Sequence, residues 1–397
     1  MTKLMLWLLT VAGLVLSAAP ARADYSIPVL FIRTADDDGS KPSTLTEATA
    51  KAAIQLANTV YKRNGGDVQF TLDPASSFTT VIKSTTLNHD CKLAPGQTAA
   101  TIAAQTTQLA DTDTLCDTGP AATARAAMAL TCAGKLVVFS RGGSEYISWN
   151  ADLHHYELKY ATGGYSGSQL FYVVLGSSFS GNDLGHEIGH YMHLAHPFGG
   201  LAPKTVAAAE QAIKDYVAAG HAEADGLKVF EGDGVSDTPP DAAGGVFVDK
   251  YGANANCDPA HPTVPLTVHF TGHDRTYTLA PDRNDVMSYF KNCSGFDQHL
   301  TAGQWAIVHA ALTTGNRATL VTLPMAPGDG CHSRDPAHAC PLQPPPPDPS
   351  VQLASVAKHV ANCYKLWRRP LPGEINEITN PGRPVVRLKV PVTIVHE

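Results

Sequence analysis

The run HEIGHYMHLAH, His186 to His196, constrains this chain more than any other stretch, because it sets three imidazoles and a carboxylate at spacings suited to one metal ion. His186 and His190 are four apart, so on a helix both rings project from one face. Glu187 follows the first imidazole, where it can reach a metal-held water without taking a coordination position. Continued helix would carry His196 to the wrong side, so the chain must turn sharply between Tyr191 and Ala195. Three neutral nitrogen ligands leave a fourth tetrahedral position open, the arrangement of a catalytic rather than a structural zinc site. The competing reading is a helix that is merely rich in histidine.

Far downstream, Asn284-Asp285-Val286-Met287-Ser288-Tyr289 supplies a second element, and GDGVSDTPPD, Gly232 to Asp241, a third. The histidine run followed by a methionine-centred turn resembles the metzincin metalloproteases. The segment 232–241, the cysteines Cys257 and Cys293 around the turn, and Leu300 to Trp305 opening a helix narrow the likeness to the pappalysin-like branch. The specific resemblance covers roughly residues 170 to 312. It implies an α+β fold of metzincin type: an N-terminal twisted mixed sheet with helices, the zinc helix at the cleft, and an irregular C-terminal subdomain with Met-turn and closing helix. It also implies His186, His190 and His196 as zinc ligands, Glu187 as general base, Met287 as a packing floor beneath the metal, and a Cys257–Cys293 disulfide. Tyr289 is placed as in those metzincins whose tyrosine swings toward the metal to stabilise an oxyanion; an ordinary core or turn tyrosine is the other reading.

One departure stands out. The family usually carries glycine where this chain has His193, and that glycine takes a positive φ that swings the third ligand back. Histidine is enriched among non-glycine residues at positive φ, so His193 reads as a strained turn residue, with a fourth ligand as the alternative. His154, His155 and His221 read as exposed or hydrogen-bonded. Asp233 and Asp237 are candidates for calcium, as in related enzymes, or for a plain acidic turn; the spacing is not that of an EF-hand loop.

The N-terminus, with Lys3, an apolar run from Leu4 to Ala18 and Ala21-Arg22-Ala23, reads as a secretory signal peptide over residues 1–23. The expected product is exported, either extracellular or periplasmic. A catalytic domain is expected over 24–325, divided near 196/197, then a Cys/Pro-rich linker over 326–350 and a C-terminal extension over 351–397. At 44% hydrophobic and 16% charged the chain can bury a full core, and a net charge of −7 offers no footprint for nucleic acid or anionic lipid. No apolar window outside the leader is long enough to span a membrane. Eight cysteines in an exported chain allow up to four disulfides. Pairings within Cys91, Cys116 and Cys132, within Cys331, Cys340 and Cys363, and between the groups all stay open. Oligomeric state is not readable.

Along the chain, Val29 to Ile32 reads as a buried strand and Thr44-x-x-Glu47 as a capping box opening a helix through Tyr61. Gly65-Gly66 closes that helix, and Val68 to Leu72 and Lys135 to Ser140 read as further strands. Leu170 to Leu175 is a strongly β-prone run, either the sheet edge on which an extended peptide docks or a central core strand. Asn182 or Asp183 is expected to cap the zinc helix. Thr205 to Ala219 is helical in character, and Trp305, Val308, Ala311 and Leu312 form the stripe of a closing helix. Residues 73–131 yield no more than one or two helical segments.

The function these features imply is zinc-dependent hydrolysis of peptide bonds in a protein or peptide substrate. Two rivals stay open: a zinc hydrolase or amidase on a non-protein substrate, and a secreted binding or adhesion protein whose zinc is structural.

Overall fold

The computed structural model describes residues 25–320 apart from 64–67, 91, 94, 95, 108, 110–115, 118, 133, 144, 151–153, 161, 162, 177, 178, 199, 200, 292, 294, 314 and 316. The expected leader, linker and C-terminal extension lie outside the described residues, as do Gly65, Gly66, Cys91, Cys331, Cys340 and Cys363.

Chain order begins β1 (Tyr25–Ala35), α1 (Glu47–Lys62), β2 (Val68–Leu72), β3 (Ile82–Lys83), α2 (Gly119–Thr131) and β4 (Leu136–Ser140). A separate antiparallel hairpin, β5 (Glu145–Asn150) with β6 (His155–Tyr160), follows. Then come β7 (Gly164–Tyr165), β8 (Tyr172–Leu175) and α3 (Gly181–Tyr191), which carries the metal motif. The main sheet runs β2-β1-β4-β8-β7, with β3 on the far end of β1. All its pairings are parallel except β8 with β7, so the sheet is mixed, as expected.

Period-2 alternation sorts the strand side chains onto two faces. Val29, Phe31, Val138, Val173 and Leu175 face α1 and α3, packing on Ala53, Ala57, Leu184 and Ile188. Leu30, Ile32, Val137, Phe139, Tyr172 and Val174 form a rear layer with Met128 and Ala129 of α2. Strands buried on both faces read as continuous apolar runs, which is why β1, β4 and β8 carry so few polar residues.

The LFYVVL run is strand only from Tyr172, and it is not the edge. Val174 and Leu175 pair with β4 on one side and with Tyr165 and Gly164 on the other. The edge-docking reading of this run is therefore corrected: β7 is the last strand. The N-terminal caps shift too. Helix α1 is capped by Thr46 with Thr49 rather than by Thr44 with Glu47.

After the motif the chain forms α4 (Val206–Ala218), helical as expected, capped by Thr205 and followed by Gly220 at φ +101°, then α5 (Gly245–Tyr251) and the hairpin β9 (Val264–Phe270) with β10 (His273–Leu279). Ala209, Ile213, Phe230, Val246, Phe247, Leu266 and Leu279 build a second core there. Helix α6 (Ala302–Thr313) returns to the first core, where Val308, Ala311 and Leu312 join Val286, Met287 and Leu300. The Cys257–Cys293 disulfide is formed, its Cα atoms 5.1 Å apart. No helix among the described residues is long and apolar enough to cross a membrane.

Candidate metal centre

Helix α3 starts at Ser180, not at Asn182 or Asp183. Asp183 is the third helical residue, and its carboxylate accepts the Ser180 amide. Asn182 instead donates to the Lys291 carbonyl at 2.6 Å, tying the helix start to the segment after the Met-turn. The helix ends in a Schellman motif: Leu194 N–H donates to Gly189 O at 2.9 Å and His193 N–H to His190 O at 3.0 Å. That motif needs a left-handed residue, and His193 sits there at φ +77°, exposed, as the turn reading required. Left-handed backbone costs an L-residue on the order of 1 kcal/mol, and the turn it makes brings His196 back beside the helix.

The Nε2 atoms of His186, His190 and His196 lie 3.1, 3.0 and 3.2 Å from one another. This is the single group of three or more potential ligand side chains found among the described residues. His186 Nδ1 lies 2.6 Å from Val286 O and His190 Nδ1 2.8 Å from Leu194 O. A carbonyl only accepts, so both Nδ1 atoms carry the hydrogen, and in neutral imidazole this leaves a lone pair on each Nε2. Lone pairs converging at 3 Å repel unless a cation lies among them, and zinc–nitrogen bonds of about 2.0–2.1 Å suit that triangle. The donor set fits zinc, and the two carbonyls hold ring and tautomer as outer-shell partners do. His186 is fully buried, whereas His190 and His196 are half-exposed.

Glu187 is fully buried beside the triad. Gly164 of the last sheet strand lies against it: a Cβ at that position would stand 3.0 Å from Glu187 Cγ and 2.5 Å from Val174 O. Gly189 answers to Met287, whose Sδ would lie 2.2 Å from a Cβ added to the helix there. Met287 is fully buried and shares an apolar cluster with Leu184 and Ile188 of the histidine helix. Tyr289 is half-buried, its ring 5.1 Å from that of His196 and 4.5 Å from Phe198, which itself stacks on His196 at 4.6 Å.

Two buried carboxylates hold the Met-turn. Asp285 accepts Met287 N–H and Gln304 Nε2, both at 2.7 Å. Burial raises its pKa to about 8 against the pull of those two donors. Asp241 accepts the Ser288 hydroxyl and, at 2.6 Å, Ala243 N–H; burial raises it to about 6. Asp233 accepts Val235 N–H and the Thr238 hydroxyl, both at 2.9 Å. Asp237 accepts the Thr301 hydroxyl and Gly303 N–H at 2.8 Å, at the start of α6. Each thus serves its own turn or helix end. Arg317 closes the far end of α3: its Nε donates to Tyr191 O at 2.9 Å, and its Nη2 to Leu170 O at 2.6 Å and Ser168 O at 3.1 Å.

Sequence reasoning missed the Val286 and Leu194 carbonyls, Gly164, Ser180 and Arg317. Backbone acceptors leave no mark in a sequence, and Gly164 sits in a stretch whose strand is two residues long. His154 is exposed at φ +51°, His155 lies 3.5 Å from Glu157, and His221 stacks on Tyr216 at 3.8 Å; the structure brings none of them to the triad.

No family model and no curated protein matches this chain. Among solved structures it is similar to mirolysin in complex with a compound numbered 9, at 14% identity and a TM-score of 0.36, over 75% of this chain and 96% of that one. It is similar at the same identity to mature mirolysin of Tannerella forsythia in complex with a cleaved peptide, with a TM-score of 0.35, over 75% of this chain and 95% of that one.

Proposed function

We propose that this protein is an exported zinc-dependent endopeptidase, with His186, His190 and His196 holding the metal and Glu187 as general base. The observation that carries the reading is the convergence of three Nε2 atoms beside a buried glutamate, with two of the rings locked by carbonyls. A zinc ion held by His186, His190 and His196 would supply Lewis acidity for the scissile carbonyl and would lower the pKa of a water from about 15.7 to near 7. Glu187 takes a proton from the attacking water and passes it to the leaving amine. Tyr289, whose ring meets that of His196 edge-on at 5.1 Å, would donate its hydroxyl to the developing oxyanion. An extended substrate adds to β7, the last strand, by backbone pairing.

Replacing Glu187 by alanine is expected to lower kcat on casein by about 10²–10⁴-fold while zinc stays near one per chain. Unchanged hydrolysis rejects the mechanism. Wild-type protein that binds zinc but cleaves neither casein nor gelatin favours a hydrolase for a non-protein substrate.

A further inference from the structure

We propose that Tyr165 is a positioning residue for substrate, its hydroxyl anchoring β7 from behind the sheet so that Gly164 stays seated against Glu187. The proposal rests on the protease reading above and assigns work to a cluster outside the metal centre.

Strand β7 is two residues long and pairs on one side only, Gly164 with Leu175 and Tyr165 with Val174. So short a strand has few ladder bonds to hold its place. Alternation sends its two residues to opposite faces. Gly164 fronts Glu187, while the Tyr165 ring enters the rear layer with Val174, Tyr172 and Met128. There its hydroxyl donates to Asp90 Oδ1 at 2.8 Å and accepts from Arg125 Nη1 at 2.5 Å. Arg125 Nη1 also donates to Asp90 Oδ1 at 2.8 Å, and Arg141 pairs with the other carboxylate oxygen. Arg125 is fixed in turn by the Leu87 and His89 carbonyls, with its Nη2 at 2.8 and 3.1 Å from them.

Asp90, Arg125, Arg141 and Tyr165 are each at most 5% exposed. Burying two guanidinium groups against one carboxylate is costly, and well-packed apolar residues would be at least as stable. What the polar cluster adds is a directional bond to one hydroxyl, on the strand that touches the catalytic base. A shift of a few tenths of an ångström in β7 presses on Glu187 or tilts the edge that a substrate backbone pairs with. Positioning errors of that kind carry large rate penalties.

The test is Tyr165→Phe, which keeps the ring and removes the anchor. Catalytic efficiency is measured on an eight-residue peptide that can pair along β7 and on a short one that spans little more than the scissile bond, at matched zinc content. The loss of the hydroxyl's bonds to Asp90 and Arg125 predicts that the drop in kcat/KM is about tenfold greater for the long peptide, mainly through KM. Amide exchange of residues 163–165 should accelerate while that of β1 and β4 does not. Equal losses on both peptides, or unaltered exchange at 163–165, overturn the proposal. Should the phenylalanine variant not fold, Arg125→Lys, which gives up the guanidinium fork that ties the cluster to the Leu87 and His89 carbonyls, is read in the same two ways. If the wild-type protein cleaves no peptide, the protease reading fails, and the exchange measurement still decides whether the anchor exists.

Discussion

The sheet region, residues 25–191, and the segment from 197 to 300 support the same three-histidine site by different means. The first is held by uninterrupted parallel register and by apolar side chains on both faces of β1, β4 and β8. The second has a smaller core, one disulfide and a set of single polar ties: Asp241 to Ser288, Asp285 to Met287 and Gln304, Asp237 to Thr301 and Gly303. Repeated backbone pairing spreads the task of placing His186 and Glu187 over many weak contributions. The Met-turn depends on a few bonds, each of which can be removed by one substitution. The contrast teaches that the metal helix is set by the sheet, while its floor is set by side-chain chemistry.

The largest effect expected of a change confined to the second region is loss of the disulfide. Replacing Cys257 and Cys293 by serine is expected to cost about 3–4 kcal/mol by the chain-entropy account, read as a fall in Tm. Exchange protection should drop first in α4, β9 and β10; an equal drop in β1 and β4 would break the comparison. Next is Gly189→Ala in the metal helix, where the new Cβ meets Met287 Sδ. Overpacking of this kind costs about 1–3 kcal/mol, and chelator competition should show weaker zinc binding. Unaltered stability and metal affinity would mean the floor yields more easily than its burial implies.

The smallest effect is a pH slope. Asp285 has its pKa raised to about 8 when folded, from an ordinary value of 3.8. The folded state therefore holds that proton more tightly, and the contribution is fully present below about pH 4 and lost as pH rises through about 8. Asp241, raised to about 6, acts in the same sense over a narrower range. Asp285→Asn cannot ionise, so its Tm should fall less between pH 4 and 9 than that of the wild type. A decline of the same size in the variant would move its source away from the Met-turn.

Much of the site was legible because its chemistry is local. The spacing of His186, His190 and His196, the neighbouring Glu187 and the awkward His193 all follow from helix geometry and a forced turn. Strand Val68–Leu72 and helix Val206–Ala218 were readable for the same reason, alternation in one and an alanine-rich run in the other. Sheet order was not legible. Tyr172–Leu175 is apolar on both faces, and whether such a run lies at an edge depends on where β7 settles, which is a tertiary matter. Helix starts were displaced because serines and threonines cluster: Thr44 and Thr46 both precede α1, and only the packed structure selects Thr46. Residues 73–131 resisted because their elements are short and their anchor, Asp90 with Arg125, joins residues 35 apart.

Arg317 and Val286 carry a consequence for biogenesis. Val286 lies 100 residues beyond the histidine whose ring its carbonyl holds, and Arg317 lies 126 beyond the tyrosine whose carbonyl it caps. A nascent chain that has emerged only as far as His196 has every imidazole in order, yet lacks the carbonyl behind the first and the guanidinium at the helix end. Closing segments of that length carries an entropic cost that local helix formation cannot offset. Completion of the three-histidine site is thus a late event in the folding of this chain, a seal on the finished structure and not a seed from which it grows.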